Sequence, residues 1–241
     1  MNISELSAMF DTLLNSYASR AAFGDATPIR EVVLDEYEKS IFLTKAQEEL
    51  VVSLYNGRNS SALSFEESEE LRRYLSNLVE TTEIDPIETS NGLPLGVDSS
   101  SKFFTLPEDL WFITYEAVKL DDNEENCFKG KSMDVYPVRQ DEYHKIKKNP
   151  FRGANDRRAL RLDLGDDVVE IVCKHQVTSY CIRYIRKVRP IILESLPNGL
   201  TINGETGPSE CELHSGLHHK LLEIAVQMAL FSKGYSRQEQ K

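Results

Sequence analysis

The spacing of apolar residues changes twice along this chain, and that change limits what it can fold into. Near the N-terminus they recur every three to four residues, the period of a helix with one buried face. Leu6, Phe10, Leu13, Leu14 and Tyr17 form one such stripe. Tyr37, Ile41, Leu50, Val51 and Leu54 form a second. Asp35 is its predicted N-cap, with Glu38 three residues on in capping-box register, and Gly57 is its stop. A third helix is predicted from about Glu66 to Val79, capped by Ser64, with Leu71, Tyr74, Leu75 and Leu78 as its stripe.

The period then shortens to two. Trp111 to Leu120 is aromatic and β-branched, with Trp111, Ile113 and Tyr115 on one face. Met133 to Val138 is a short strand, and Asp141 to Lys148 is one short helix closed by Asn149 and Pro150. Leu160, Leu162 and Leu164 alternate with Arg161 and Asp163, and Gly165-Asp166-Asp167 turns the chain into Val168 to Cys173. A long strand follows from about Thr178 to Lys187. Pro190, Pro197 and Asn198-Gly199 mark turns, as Gly24 and Pro28 do earlier. Helical spacing returns from about Glu212 to Ser232, with Leu217, Leu221, Ile224, Ala225 and Met228 on one face. The closing GYSRQEQK is expected to fray.

Helices segregated from an antiparallel meander or small sandwich make an α+β fold. The expected division is a helical region at 1–80, a linker or extended arm at 81–102 and a β-rich region at 103–210. A C-terminal helix at 211–241 should pack back on the helical region. The arm carries Pro86, Gly92, Pro94, Gly96 and three consecutive serines, Ser99 to Ser101. It and the loop DDNEEN (Asp121 to Asn126) are expected to order on assembly.

With 40% apolar and 28% charged residues, the composition is that of a folded chain. At this length a chain buries roughly 70–75% of its unfolded surface and needs no staples. Cys127, Cys173, Cys181 and Cys211 form no disulfide framework and read as reduced thiols. No apolar run approaches the roughly 20 residues of a spanning helix. The start MNISELSAMFDTLL has no basic region ahead of an apolar core, so no signal peptide and no membrane partner are expected.

The net charge of −11 is unevenly distributed. Residues 1–100 hold 7 basic and 18 acidic side chains, whereas residues 139–190 hold 13 and 7. An acidic front and a basic centre point to a partner, a neighbouring subunit or nucleic acid.

Enzyme signatures are absent from the sequence. There is no GxxxxGK[ST], no GxGxxG, no HExxH and no GxSxG. Cys211, His214 and His218 could offer zinc three ligands, but Gly216 weakens the helix between the histidines and no second pair closes the site. Solvated or interface histidines explain them better. Cys173 and His175 would share a strand face, yet Cys173 ends an apolar strand and is read as core. No metal or cofactor is expected.

The basic segment is the most informative polar feature. Arg152, Arg157 and Arg158 lie in or beside a loop, and Arg183, Arg186 and Arg189 crowd a strand end. They suit phosphate or an acidic protein surface. A strand edge guarded by cations is the plainer explanation.

Several stretches occur in a distinctive order: LDEYEKSIFLTKAQEELVVSLYNG, FEESEELRRYLSNLV, NPFRGANDRRALRLD, SYCIRYIRKVRPIIL, LPNGLTINGE and SECELHSGLHHKLLEIAVQMAL. Over Leu34 to Leu230 this order resembles the head-to-tail connector, or neck ring, proteins of crAss-like tailed bacteriophages. The resemblance implies a non-enzymatic virion structural protein with an adaptor-like fold. It implies a homo-oligomeric ring, commonly dodecameric, beside the portal protein and other neck or tail rings. Phage DNA would pass through the lumen without sequence-specific binding, and assembly would take place in the host cytoplasm. A head-to-tail ring needs two different complementary faces on each subunit. Arg152, Arg157, Arg158, Arg183, Arg186 and Arg189 are expected to meet Glu66, Glu67, Glu69 and Glu70 of a neighbour, or to line the channel. A tail-completion or portal-binding factor without a stable ring is the alternative, ahead of a metal-dependent enzyme.

Overall fold

The computed structural model describes residues 1–21, 33–58, 63–87, 96–121, 131–165, 167–197 and 199–233. Gly24, Pro28, Gly92, Pro94, most of the DDNEEN loop, Cys127, Asp166, Asn198 and the closing GYSRQEQK lie outside them. The chain divides into two units. Met1–Leu78 with Val188–Lys241 form the first, and Val79–Lys187 forms the second. In the sequence, the second is therefore inserted into the first.

The first unit is helical. Helix α1 (Ile3–Ala21) begins in a capping box. Asn2 Oδ1 accepts from the Glu5 backbone N–H at 2.8 Å, and the Glu5 carboxylate accepts from the Asn2 N–H at 3.0 Å. Leu6, Phe10 and Leu14 are fully buried along one face. Helix α2 (Glu36–Tyr55) starts where Asp35 accepts from the Glu38 N–H at 2.6 Å, as predicted. Gly57 follows it at φ +71°, a backbone conformation that favours glycine.

The buried face of α2 differs from the expected stripe. Tyr37 and Ile41 are only half-buried. Their place is taken by Ser40, Thr44 and Gln47, all buried and one helical turn apart. These three hydrogen-bond the extended segment 189–193. Ser40 Oγ accepts from the Leu193 N–H at 3.0 Å, and Thr44 Oγ1 accepts from the Ile191 N–H at 3.0 Å. The Gln47 side-chain amide donates to the Arg189 carbonyl at 2.7 Å. A hydrophobic stripe could not satisfy those backbone groups.

Helix α3 (Glu69–Tyr74) is shorter than predicted and gives way to a 3₁₀ turn at Ser76–Leu78. Ser64 does not cap it. Its N–H and hydroxyl both donate to the Glu67 carboxylate, forming a turn ahead of the helix. The C-terminal helix α5 (His218–Ser232) also starts later than predicted, after a 3₁₀ turn at Ser215–Leu217. The His214 ring accepts from the Gly216 N–H and holds that turn. Leu221, Leu222, Ala225, Val226 and Ala229 are buried where α5 packs on α1 and α2.

Two ionisable groups lie inside this unit. Lys39 is buried and reaches Asp11 at 2.6 Å and Glu36 at 2.9 Å, joining α1 to α2. Burial opposes its charge, but the two carboxylates outweigh that and hold its pKa above the ordinary value. His218 is buried, with Nε2 facing the Leu213 carbonyl and Nδ1 facing the Met1 amine, each at 3.1 Å. Burial lowers its pKa below 6.5, and the charges of the Met1 amine, His214 and His219 lower it further. Folding thus favours neutral His218. Its contribution is present above about pH 6.5 and lost as pH falls through the lower folded-state value. Thermal melts from pH 7.5 to 5 should show that acid-side loss in the wild type and a smaller one in His218→Gln.

The second unit is a seven-stranded sheet in the order β1-β7-β3-β4-β5-β6-β2. The strands are β1 (Val79–Ile84), β2 (Ser101–Thr105), β3 (Leu110–Leu120), β4 (Ser132–Pro137), β5 (Arg158–Gly165), β6 (Val168–Val172) and β7 (Val177–Arg186). β1 and β2 take the two ends of the segment expected to be an arm. The Ile87 N–H, just past β1, donates to Phe103 on β2, which links the two outer strands of the sheet. The fold class is α+β, but the sheet is not a meander: β1–β7, β7–β3 and β6–β2 pair strands that are not consecutive in sequence, and β4 and β5 pair in parallel. Parallel neighbours need a crossover, and helix α4 (Tyr143–Lys147) lies in it.

One core is built from Phe104, Val118, Leu120, Met133, Val135, Ala159, Val169, Ile171, Tyr180 and Ile182. A smaller one lies on the other face of β5, where Leu160, Leu162 and Val172 pack on Tyr143 of α4. Both faces of β5 are therefore covered. The alternation of leucines with Arg161 separates two interiors, not core from solvent.

Candidate interaction surface

The basic residues fall into three groups. Arg186 and Arg189 are tied within their own units. Arg186 Nε lies 3.0 Å from Glu80, and Arg189 Nε lies 3.9 Å from Glu212. Arg183 is exposed on β7, directly across from the half-exposed Tyr115 of β3. Arg152 and Arg157 belong to the turn between α4 and β5, and Arg158 is the first residue of β5. Arg158 lies 4.3 Å over the Tyr136 ring, a cation–π geometry, and donates to the Phe151 carbonyl at 3.0 Å.

The acidic residues Glu66, Glu67, Glu69 and Glu70 are all exposed at the start of α3. Glu67 accepts from Ser64, which holds its carboxyl below the usual range. Glu69 makes an exposed pair with Arg73 at 3.4 Å, and Glu70 accepts from the Tyr74 hydroxyl at 2.6 Å. Of the expected contact residues, Arg152 and Arg157 lie in one turn with Arg158 at the strand start that ends it, and the four glutamates lie together at and just ahead of the start of α3.

The charge split along the sequence does not survive as a basic unit and an acidic one. The helical unit holds 12 basic and 19 acidic residues, and the sheet unit 16 and 20. Folding mixes the basic segment with acidic neighbours. What remains is local: an arginine patch and an acidic patch.

The sequence reading missed a largely buried ionic group in the sheet unit. Arg161 reaches Glu116 at 2.8 Å and Asp163 at 2.9 Å. Tyr180, fully buried, donates to Glu116 at 2.5 Å. Arg161 and Glu116 are only 12% and 9% exposed. Burial raises the Glu116 pKa despite its partners. Burial and the adjacent carboxylate also push the Tyr180 hydroxyl well above its usual range. One signal was available: a glutamate inside the apolar WFITYEAVKL, and an arginine between two strand leucines.

The thiols and imidazoles weighed for chemistry have other roles in this structure. Cys173 is buried with its Sγ 3.8 Å from the Met133 sulfur. Both ring nitrogens of His218 face other partners, and the His214 Nδ1 serves its turn. Burial pushes the Cys211 thiol up to about 11. Among the described residues, no three His, Cys, Asp or Glu side chains are placed to hold a metal, and no helix is long and apolar enough to cross a membrane.

Comparison with known proteins gives a consistent assignment. A family model described as phage tail ring protein 3/4 matches residues 1–241. Ring protein 3 of Bacteroides phage crAss001 is 47% identical over 234 residues, covering 97% of this chain and 96% of that protein. Ring protein 4/5 of the same phage is 31% identical over 238 residues, covering 95% and 92%. With residues 1–241 matched by the family model and two relatives of the same phage aligned over nearly all of it, the chain belongs to the phage tail ring protein 3/4 family of crAss-like phages, which are structural proteins.

Proposed function

We propose that this protein is a subunit of a closed homo-oligomeric ring, dodecameric as rings of this kind commonly are. The ring forms part of the portal-proximal neck, joins capsid to tail and lets DNA pass. It has no catalytic activity and takes no cofactor. The observation that carries the reading is the family match over the complete chain.

The physical features fit such a role. A ring is closed by one surface of each subunit meeting a different surface of the next. An arginine patch on the sheet unit and a glutamate patch on the helical unit offer such a pair. The overall acid excess suits a channel wall, because tight phosphate contacts would arrest sliding DNA. The subunits are made in the host cytoplasm and end in the virion.

The test of position is co-assembly. Mixed with the portal and the neighbouring ring proteins of its phage, the chain should add a ring-shaped layer visible by electron microscopy. Binding to the portal without a ring would favour a tail-completion or assembly factor instead.

A further inference from the structure

We propose that the loop 149–158 is the anchor of the intersubunit contact, and that it docks on the acidic surface around Glu66–Glu70 of a second copy. This rests on the ring reading and names the residues that carry it.

Phe151 is 84% exposed, more than any other large apolar side chain among the described residues. Its loop is firmly pinned. Asn149 Oδ1 accepts from the Phe151 N–H at 2.9 Å and the Arg152 N–H at 3.3 Å. The Asn149 carbonyl accepts from the Gly153 N–H at 2.8 Å. Gly153 is buried so closely that a Cβ there would lie 3.0 Å from the Asn149 carbonyl oxygen and 3.2 Å from that of Ile146. At the far end Asn155 Oδ1 accepts from the Arg157 N–H at 2.9 Å. Arg158, seated on Tyr136 and bonded to the Phe151 carbonyl, ties the loop to the sheet.

An aromatic ring held outward gains no burial in the isolated subunit. A pinned loop, however, loses little conformational freedom when it docks, so more of the contact energy appears as affinity. Phenylalanine, tyrosine and arginine in one patch are the composition of an interface core. The three cations are all arginines, whose planar forks match carboxylates.

Charge selects the occupant. Four glutamates within five residues face solvent at the start of α3, and Leu63 beside them is 42% exposed and offers apolar area to Phe151. Loop and acidic segment are different surfaces, so the contact is heterologous and propagates around a ring. Duplex DNA would satisfy the arginines but leave Phe151 without a partner, because its bases are already stacked on one another.

The test uses the full chain in three forms, each followed by electron microscopy, native mass and thermal melting. Phe151→Ser with Arg152→Glu should weaken ring formation at least tenfold and leave the melting temperature unchanged. Glu66→Arg with Glu70→Arg should do the same. Arg152→Glu and Arg157→Glu combined with Glu66→Arg and Glu70→Arg in one chain should restore the ring, because both surfaces are reversed together. Variants that form rings as readily as a ring-forming wild type overturn the loop assignment and leave the ring reading standing. Rings that form normally in the variants but lose DNA retention place the loop in the channel, and overturn it too. A wild type that forms no ring, alone or with its neck partners, overturns both.

Discussion

Replacing Arg161 with Met should destabilise the sheet unit by about 3–5 kcal/mol, the usual effect of leaving one buried charge without its partner. Glu116 would stay behind in the core beside Tyr180, with its countercharge gone. Its only economical response is to fold as the protonated acid. The pH dependence follows from that. Burial already raises the Glu116 pKa above 4.5, and losing Arg161 raises it further. The folded state then binds more protons than the unfolded state. Stability is retained below the unfolded value and falls as pH rises above it. Urea unfolding of the variant at pH 5 and pH 8 should show that loss, with a much flatter profile in the wild type. Glu116→Leu, Arg161→Met and Tyr180→Phe together remove the whole polar group, and should return stability to within a few kcal/mol of wild type or above it. An Arg161→Met protein within about 1 kcal/mol of wild type at pH 8 would contradict this account of the core.

The second large effect is expected on α2. Thr44→Val keeps the side chain's shape but leaves the buried Ile191 N–H without its acceptor. Ser40→Ala does the same to the Leu193 N–H. Each orphaned donor should cost on the order of 1–3 kcal/mol. The pair should not be strictly additive, because both residues hold the same short segment. Chemical denaturation of the single and double variants measures this. Replacing the half-buried Ile41 with Val serves as a control and should cost at most about 1.5 kcal/mol. If Thr44→Val and Ser40→Ala cost no more than that control, the segment 189–193 does not depend on the helix for its hydrogen bonds.

These two groups also mark where the sequence could be read and where it could not. The helices were legible because Leu6, Phe10 and Leu14, or Leu221 and Ala225, repeat at helical spacing and are buried together. The caps at Asp35 and Gly57 depend on local chemistry alone, so they were legible too. Ser40, Thr44 and Gln47 were not, because a polar stripe is ordinarily a solvent face. Here it meets a backbone segment about 150 residues away in sequence. Arg161 failed for the same reason: alternation shows which residues share a face, not which face is covered. β1 was missed because ETTEI carries charge and little apolar area, and it pairs with β7 some hundred residues later. The parallel β4–β5 pair depends on the α4 crossover, which no local pattern announces.

The interaction surface was half legible. The arginine cluster stood out as a charge anomaly, and Arg152 and Arg157 do share a loop, which ends at Arg158 of β5. Folding then separated Arg186 and Arg189 from that group by pairing them with Glu80 and Glu212. It also supplied Phe151, whose significance lies in its exposure and in the hydrogen bonds that hold it there.

The central claim is that this chain assembles into a ring. Electron microscopy of the purified protein, together with native mass measurement across a range of concentrations and with the other ring proteins of its phage present, tests it most directly. The account predicts closed rings of one fixed copy number, with a central opening wide enough for duplex DNA. A protein that remains monomeric in all of those conditions, or that forms only open filaments, would contradict it.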